Sequence, residues 1–87
     1  MQPVIVKLRF TDKISKAIVN TIWHPLQKTE LFSDGSGLMT LKVRGTRYFR
    51  DWVMGWGENM EVLEPETLRY EVLQLASSLV NMYNDKK

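Results

Sequence analysis

One histidine, three closely spaced glutamates, two tryptophans a helical turn apart and a scatter of lysines and arginines are the side chains of this 87-residue chain that could do chemistry. His24 stands between Trp23 and Pro25. As a general base it would need a partner carboxylate that the sequence does not place, so it reads as a loop histidine that packs beside Trp23 or bonds to backbone. Glu61, Glu64 and Glu66 could gather around a cation. Two of them bracket a helix start, where the helix dipole stabilises carboxylates, and capping explains them better. Trp52 and Trp56 could form a ligand cage, yet beside Phe49 and Val53 they read as anchors of a helix on a sheet; if Trp52 is fully buried, its truncation to Ala costs about 3 to 5 kcal/mol. The glycine-containing stretch Asp34-Gly35-Ser36-Gly37 lacks the spacing and the following helix of a phosphate loop. No catalytic constellation forms, no metal or cofactor is implied, and the chain reads as non-enzymatic.

The cations are more informative. Residues 1–50 hold nine Lys or Arg against three acids, a net +6, whereas residues 51–87 hold three against seven, a net −4. Lys7, Arg9, Lys42 and Arg44 are expected on one face of a sheet, with Arg47 and Arg50 extending the patch onto a helix. An open basic sheet is where single-stranded nucleic acid binds, through phosphate contacts and bases stacked on aromatics. The stacking half is missing here, because neither central strand points an aromatic outward, and Glu61 is placed to neutralise Lys7 or Arg9. A solvated or interface-forming face is therefore preferred, with direct single-strand binding as the alternative reading.

These assignments rest on the elements that carry the residues. Val4, Val6, Leu8 and Phe10 alternate with Ile5, Lys7 and Arg9, the period of a strand buried on one side. Thr11 and Asp12 offer cap chemistry for a helix over about residues 12–22, with Ile14, Ala17, Ile18 and Ile22 at helical spacing, and Pro25 prevents its continuation. Lys28 to Ser33 and Leu38 to Arg44 form a hairpin about the Asp34–Gly37 turn. Phe49, Trp52, Val53 and Trp56 mark a second helix that Gly57 stops. Met60 to Leu63 is a fourth strand, with Pro65 at the start of the next helix. Leu68, Val72, Leu75, Ala76, Leu79, Val80 and Tyr83 then lie along one face of that C-terminal helix. Strand, helix, strand, strand, helix, strand is the ferredoxin-like βαββαβ order, here with an added C-terminal helix, in which the first and third strands occupy the middle of an antiparallel sheet.

A chain of 87 residues supports one hydrophobic core, so residues 1–87 are expected to form a single domain. Without cysteine there is no disulfide framework or thiolate zinc site. No apolar run approaches the roughly 20 residues of a membrane span, and Met1-Gln2-Pro3-Val4 lacks a signal-peptide layout, so no membrane partner is expected and the expected location is the cytoplasm.

Several stretches in combination resemble a known family. They are the opening strand Val4 to Phe10, the loop Trp23-His24-Pro25-Leu26-Gln27 with Lys28-Thr29-Glu30, and the Asp34-Gly35-Ser36-Gly37 hairpin. Trp52-Val53-Met54-Gly55-Trp56-Gly57 and Val62-Leu63-Glu64-Pro65-Glu66-Thr67-Leu68-Arg69 continue the match, which ends at Tyr83. The chain resembles the C-terminal extension (WCX) that follows the WYL domain in bacterial WYL-type transcriptional regulators. The resemblance implies a regulator with an N-terminal winged helix-turn-helix, a ligand-sensing WYL domain and this extension, which is often engaged in dimer contacts. The implied partners are a second copy, the WYL domain of the same regulator and, indirectly through the helix-turn-helix, DNA. Neither a Trp-Tyr-Leu motif nor a helix-turn-helix pair occurs here, so the sequence reads as a domain excised from a longer protein. It departs from the family at Tyr48-Phe49, where Glu-Leu is common.

Overall fold

Alternating polarity at the start of the chain is realised as β1, Val4–Phe10, in which Val6, Leu8 and Phe10 are buried and the residues between them are not. The structure, a computed structural model, describes residues 3–21 and 27–84, without the side chain of Arg47. Trp23, His24, Pro25 and Ile22 lie outside the described residues. After β1 come α1 (Asp12–Val19), β2 (Lys28–Leu31), β3 (Gly37–Val43), α2 (Arg47–Gly55), a single 3₁₀ turn (Gly57–Asn59), β4 (Met60–Glu64) and α3 (Glu66–Asn84). The sheet order is β2-β3-β1-β4 with every neighbour antiparallel. This is the expected ferredoxin-like arrangement with an added C-terminal helix.

The central pair sets the core. Val4 lies opposite Val43 and Phe10 opposite Gly37, in unbroken register between β1 and β3. Met39, Leu41 and Val43 therefore join Val6, Leu8 and Phe10 on one face, and Ile18 of α1, Val53 of α2 and Leu68 of α3 close over it. Each such burial is worth about 1.5–3 kcal/mol. The corner after β1 is tied to the turn before β4 by Thr11, whose N–H donates to the Asn59 carbonyl at 3.0 Å and whose hydroxyl donates to Asn59 Oδ1 at 2.8 Å.

Three expectations are corrected. The first helix ends at Val19, with Asn20 as its cap and a tightened closing bond from Thr21 N–H to the Ile18 carbonyl at 3.5 Å, because two β-branched residues followed by Asn and Thr disfavour another turn. The second strand stops at Leu31 rather than Ser33, since Phe32 already belongs to the hairpin loop, donating its N–H to the Ser36 carbonyl at 2.8 Å. Pro65 caps α3 as expected, its carbonyl accepting from Arg69 N–H at 3.1 Å. Trp52 is half-buried instead of fully buried; it meets Phe49 and Trp56 edge-on at 6.3 and 5.9 Å between ring centres, while Val53 makes the deep insertion.

The apolar stripe of α3 is also only half used. Leu68 is fully buried and Val72 packs against the core, but Val80 and Tyr83 are 56% and 69% exposed. The nineteen residues of α3 span about 28 Å at 1.5 Å each, whereas the five residues of β4 beside it span about 17 Å. The helix outruns the strand that supports it.

The β2–β3 hairpin turns on residues 32–36. Gly35, with φ of 91°, takes the left-handed position, and its N–H donates to the Phe32 carbonyl at 3.0 Å. Asp34 Oδ1 accepts from the Ser36 hydroxyl at 2.6 Å and from its N–H at 3.0 Å. Both bonds favour the ionised form, the hydroxyl first, so the Asp34 carboxyl is held below the usual aspartate range. A group with a depressed folded pKa contributes stability above its unfolded value, about 3.9, and loses it as pH falls through the folded value. Denaturation midpoints are expected to fall less between pH 7 and pH 3 in Asp34→Asn than in wild type, as measured by urea titration; equal falls show that the turn does not sense pH.

Gly37 is needed for room. A Cβ there would lie 2.5 and 2.9 Å from Phe10 Cζ and Cε1 and would strike the Glu30 carbonyl, so the Phe10 ring fills the space a side chain would take. Gly37→Ala is expected to cost about 1–3 kcal/mol through overpacking, read as a lowered urea midpoint by circular dichroism; an unchanged midpoint means the ring yields freely.

Candidate functional site

Side chains that β1 and β3 direct away from the core form the open face of the sheet, and cross-strand pairing arranges them in rows. One row reads Glu64, Lys7, Thr40, Lys28; the next reads Glu61, Arg9, Leu38, Glu30; a third places Ile5 beside Lys42, with Arg44 just beyond the end of β3. Lys7, Arg9 and Lys42 share one face, as the alternation of the paired strands requires, and Arg44 follows the last residue of β3.

That face is less positive than the sequence of the first fifty residues suggests. Arg9 Nη2 meets Glu61 Oε1 at 2.7 Å, and Lys7 Nζ lies 3.6 Å from Glu64 Oε2. Arg9 also has Glu30 two strands away in its own row. The acidic second half of the chain thus returns through β4 to the basic first half. A bulge makes this possible: β1 steps from Lys7 to Leu8 while β4 steps from Glu64 to Val62, so Leu63 is the extra residue and both glutamates point to the open face. The pairs are exposed, worth about 0–1 kcal/mol each, and they set the potential of the surface more than the stability of the fold. Lys42 has no ion-pair partner among the described residues.

The helical extension of the patch is corrected. α2 inserts Val53 into the core face of the sheet and so lies on the side opposite Lys42 and Arg44. Arg50 pairs with Asp51 at 3.0 Å and borders a groove with Tyr70 and Glu71 of α3, which separates it from the open face. Arg47 opens α2 in the same layer.

The glutamates resolve into structural partners: Glu61 and Glu64 accept from the cations of β1, and Glu66 occupies the first turn of α3. Arg69 was not singled out for a role by the sequence, although its position one turn into a helix after an acidic strand carried the signal. Its Nη1 donates to the Val62 carbonyl at 2.9 Å and lies 3.9 Å from Glu61 Oε2, tying α3 to the outer side of β4. Between them runs an open groove of about 440 Å³, with Met60, Val62, Leu73 and Ala76 along its walls. Among the described residues no charged or polar side chain is buried, no three His, Cys, Asp or Glu side chains converge as a metal site, and no helix is long and apolar enough to cross a membrane.

With two cations occupied and no aromatic on the two central outward rows, wild type and the Lys42→Ala, Arg44→Ala double variant are expected to bind a labelled single-stranded oligonucleotide equally weakly at two salt concentrations. A salt slope flattened by about 1.4 in the variant, roughly 0.7 for each lost phosphate contact, would assign the face to nucleic acid instead.

Comparison with known proteins bears on the whole chain. No curated protein matches it. A model of the WCX domain family matches residues 2–80, nearly the full length, and encloses the ferredoxin-like sheet, both crossover helices and most of α3. The chain belongs to the WCX domain family.

Proposed function

We propose that the chain is a non-enzymatic regulatory module of a bacterial helix-turn-helix/WYL transcriptional regulator, and that it supports dimerisation and effector-dependent control of DNA binding. The observation that carries the reading is the family match over residues 2–80. Its grooves and exposed side chains are of a kind suited to contact with other chains. In this reading the domain acts on DNA through the geometry of the dimer: two helix-turn-helix units read two half-sites only when their separation is held.

The test compares the full-length regulator with the same protein lacking residues 3–84, by light scattering and by titration against DNA from its own promoter region. The intact protein is expected to be dimeric and the truncated one to lose dimer and bind at least tenfold more weakly. A truncated regulator that remains dimeric with unchanged affinity rejects the proposal.

A further inference from the structure

The hairpin fixes which backbone groups of β2 face the sheet and which face outward. Phe32 N–H donates to the Ser36 carbonyl at 2.8 Å, and Phe32 continues the register in which Leu31 lies opposite Gly37 and Glu30 opposite Leu38. Bonded positions alternate along an antiparallel ladder, so Glu30 and Lys28 turn their N–H and C=O to β3 while Thr29 and Leu31 turn theirs away. The same alternation, carried across β3 and β1, requires Val62 of β4 to turn its carbonyl outward, and that carbonyl is the one Arg69 occupies.

The two edges of the sheet are therefore in different states. β4 has a guanidinium on its outward carbonyl, whereas all four residues of β2 are exposed. Gln27 Nε2 donates to the Thr29 hydroxyl at 3.3 Å, which leaves that residue's backbone open. The outward N–H and C=O groups of Thr29 and Leu31 have no partner among the described residues. Four such groups along one edge are a template for an added strand.

The side chains specify what that strand is. Thr29 and Leu31 stand on the core side, opposite Met39 and Gly37, and Leu31 is 53% exposed there. Lys28 and Glu30 stand on the open face. An antiparallel strand bonded to Thr29 and Leu31 thus carries, in its own chain direction, an apolar residue opposite Leu31, a basic one opposite Glu30, a β-branched one opposite Thr29 and an acidic one opposite Lys28. A second copy of β2 does not meet this description. In the two-fold register that uses both Thr29 and Leu31, Glu30 lies opposite its own counterpart. In the register that sets Lys28 opposite Glu30, Thr29 meets its counterpart and Leu31 falls opposite Gln27, which lies outside the strand. Charge thus selects a strand of different sequence.

We infer that the outer edge of β2 is a docking site for an extended peptide segment of another sequence, in the order apolar, basic, β-branched, acidic, which pairs antiparallel with Thr29 and Leu31. The probe is a fluorescein-labelled octapeptide with valine-lysine-valine-glutamate at its centre and two threonines on either side; in its counterpart glutamate replaces the lysine. Fluorescence anisotropy is expected to show the chain binding the first about fivefold more tightly, because the counterpart sets a glutamate against Glu30. Glu30→Lys is expected to reverse that preference, whereas Glu71→Lys on α3, with the same change in net charge, keeps it. Thr29→Pro removes an outward N–H and spares the β2–β3 ladder, as proline does on edge strands, so it is expected to abolish binding of both peptides with an unchanged circular dichroism spectrum. The reversal by Glu30→Lys decides alone if Thr29→Pro unfolds. Equal binding of the two peptides, a preference that survives Glu30→Lys, binding that survives Thr29→Pro, or no binding at all overturns the inference. So does an edge that pairs only with its own copy, seen by light scattering as a dimer that Thr29→Pro dissolves.

Discussion

Seven consecutive pairs between β1 and β3 put Val6, Leu8, Phe10, Met39, Leu41 and Val43 on one face and Lys7, Arg9 and Lys42 on the other, and the remaining elements take their positions from that division. A slip of one residue would turn Lys7 and Arg9 into the core and Leu8 and Phe10 into water, a reversal no small domain survives. Gly37 guards the register at its end, since only there can the Phe10 ring lie down on the neighbouring strand. From this pair the rest follows: one layer of helices on the apolar side, an uncovered polar face on the other, and α3 left to find support at the margin.

Much of this was legible in the residues. Period-two alternation and the Asp-Gly-Ser-Gly turn are local signals, and they place β1, β3 and the hairpin without knowledge of the rest. The ends of elements were less legible because they are settled by hydrogen bonds between segments, as where Phe32 leaves β2 to bond with Ser36. The periodicity of α3 showed which side of the helix is apolar but could not show how far the sheet beneath it extends. The charge pattern was misleading for a similar reason: counting along the chain separates bases from acids, whereas the sheet brings Arg9 to Glu61 and Lys7 to Glu64. A single extra residue, Leu63, decides that meeting, and no composition window registers one residue.

The two surfaces left over have opposite characters. The open sheet face is polar, crossed by ion pairs and positive mainly toward Lys42, while the far half of α3 is apolar and uncharged. They lie on different elements and can be engaged at the same time. A regulatory domain with that division can hold one partner through apolar contact and sense another through charge.

The contact from Arg69 to the Val62 carbonyl occupies an acceptor on the strand at one end of the sheet, and α3 runs alongside that strand. A sheet grows into a filament only when both ends accept another strand, because each added copy must present a fresh edge to the next. With β4 obstructed and β2 at the opposite end carrying Lys28 and Glu30, strand-by-strand stacking of copies terminates after one addition.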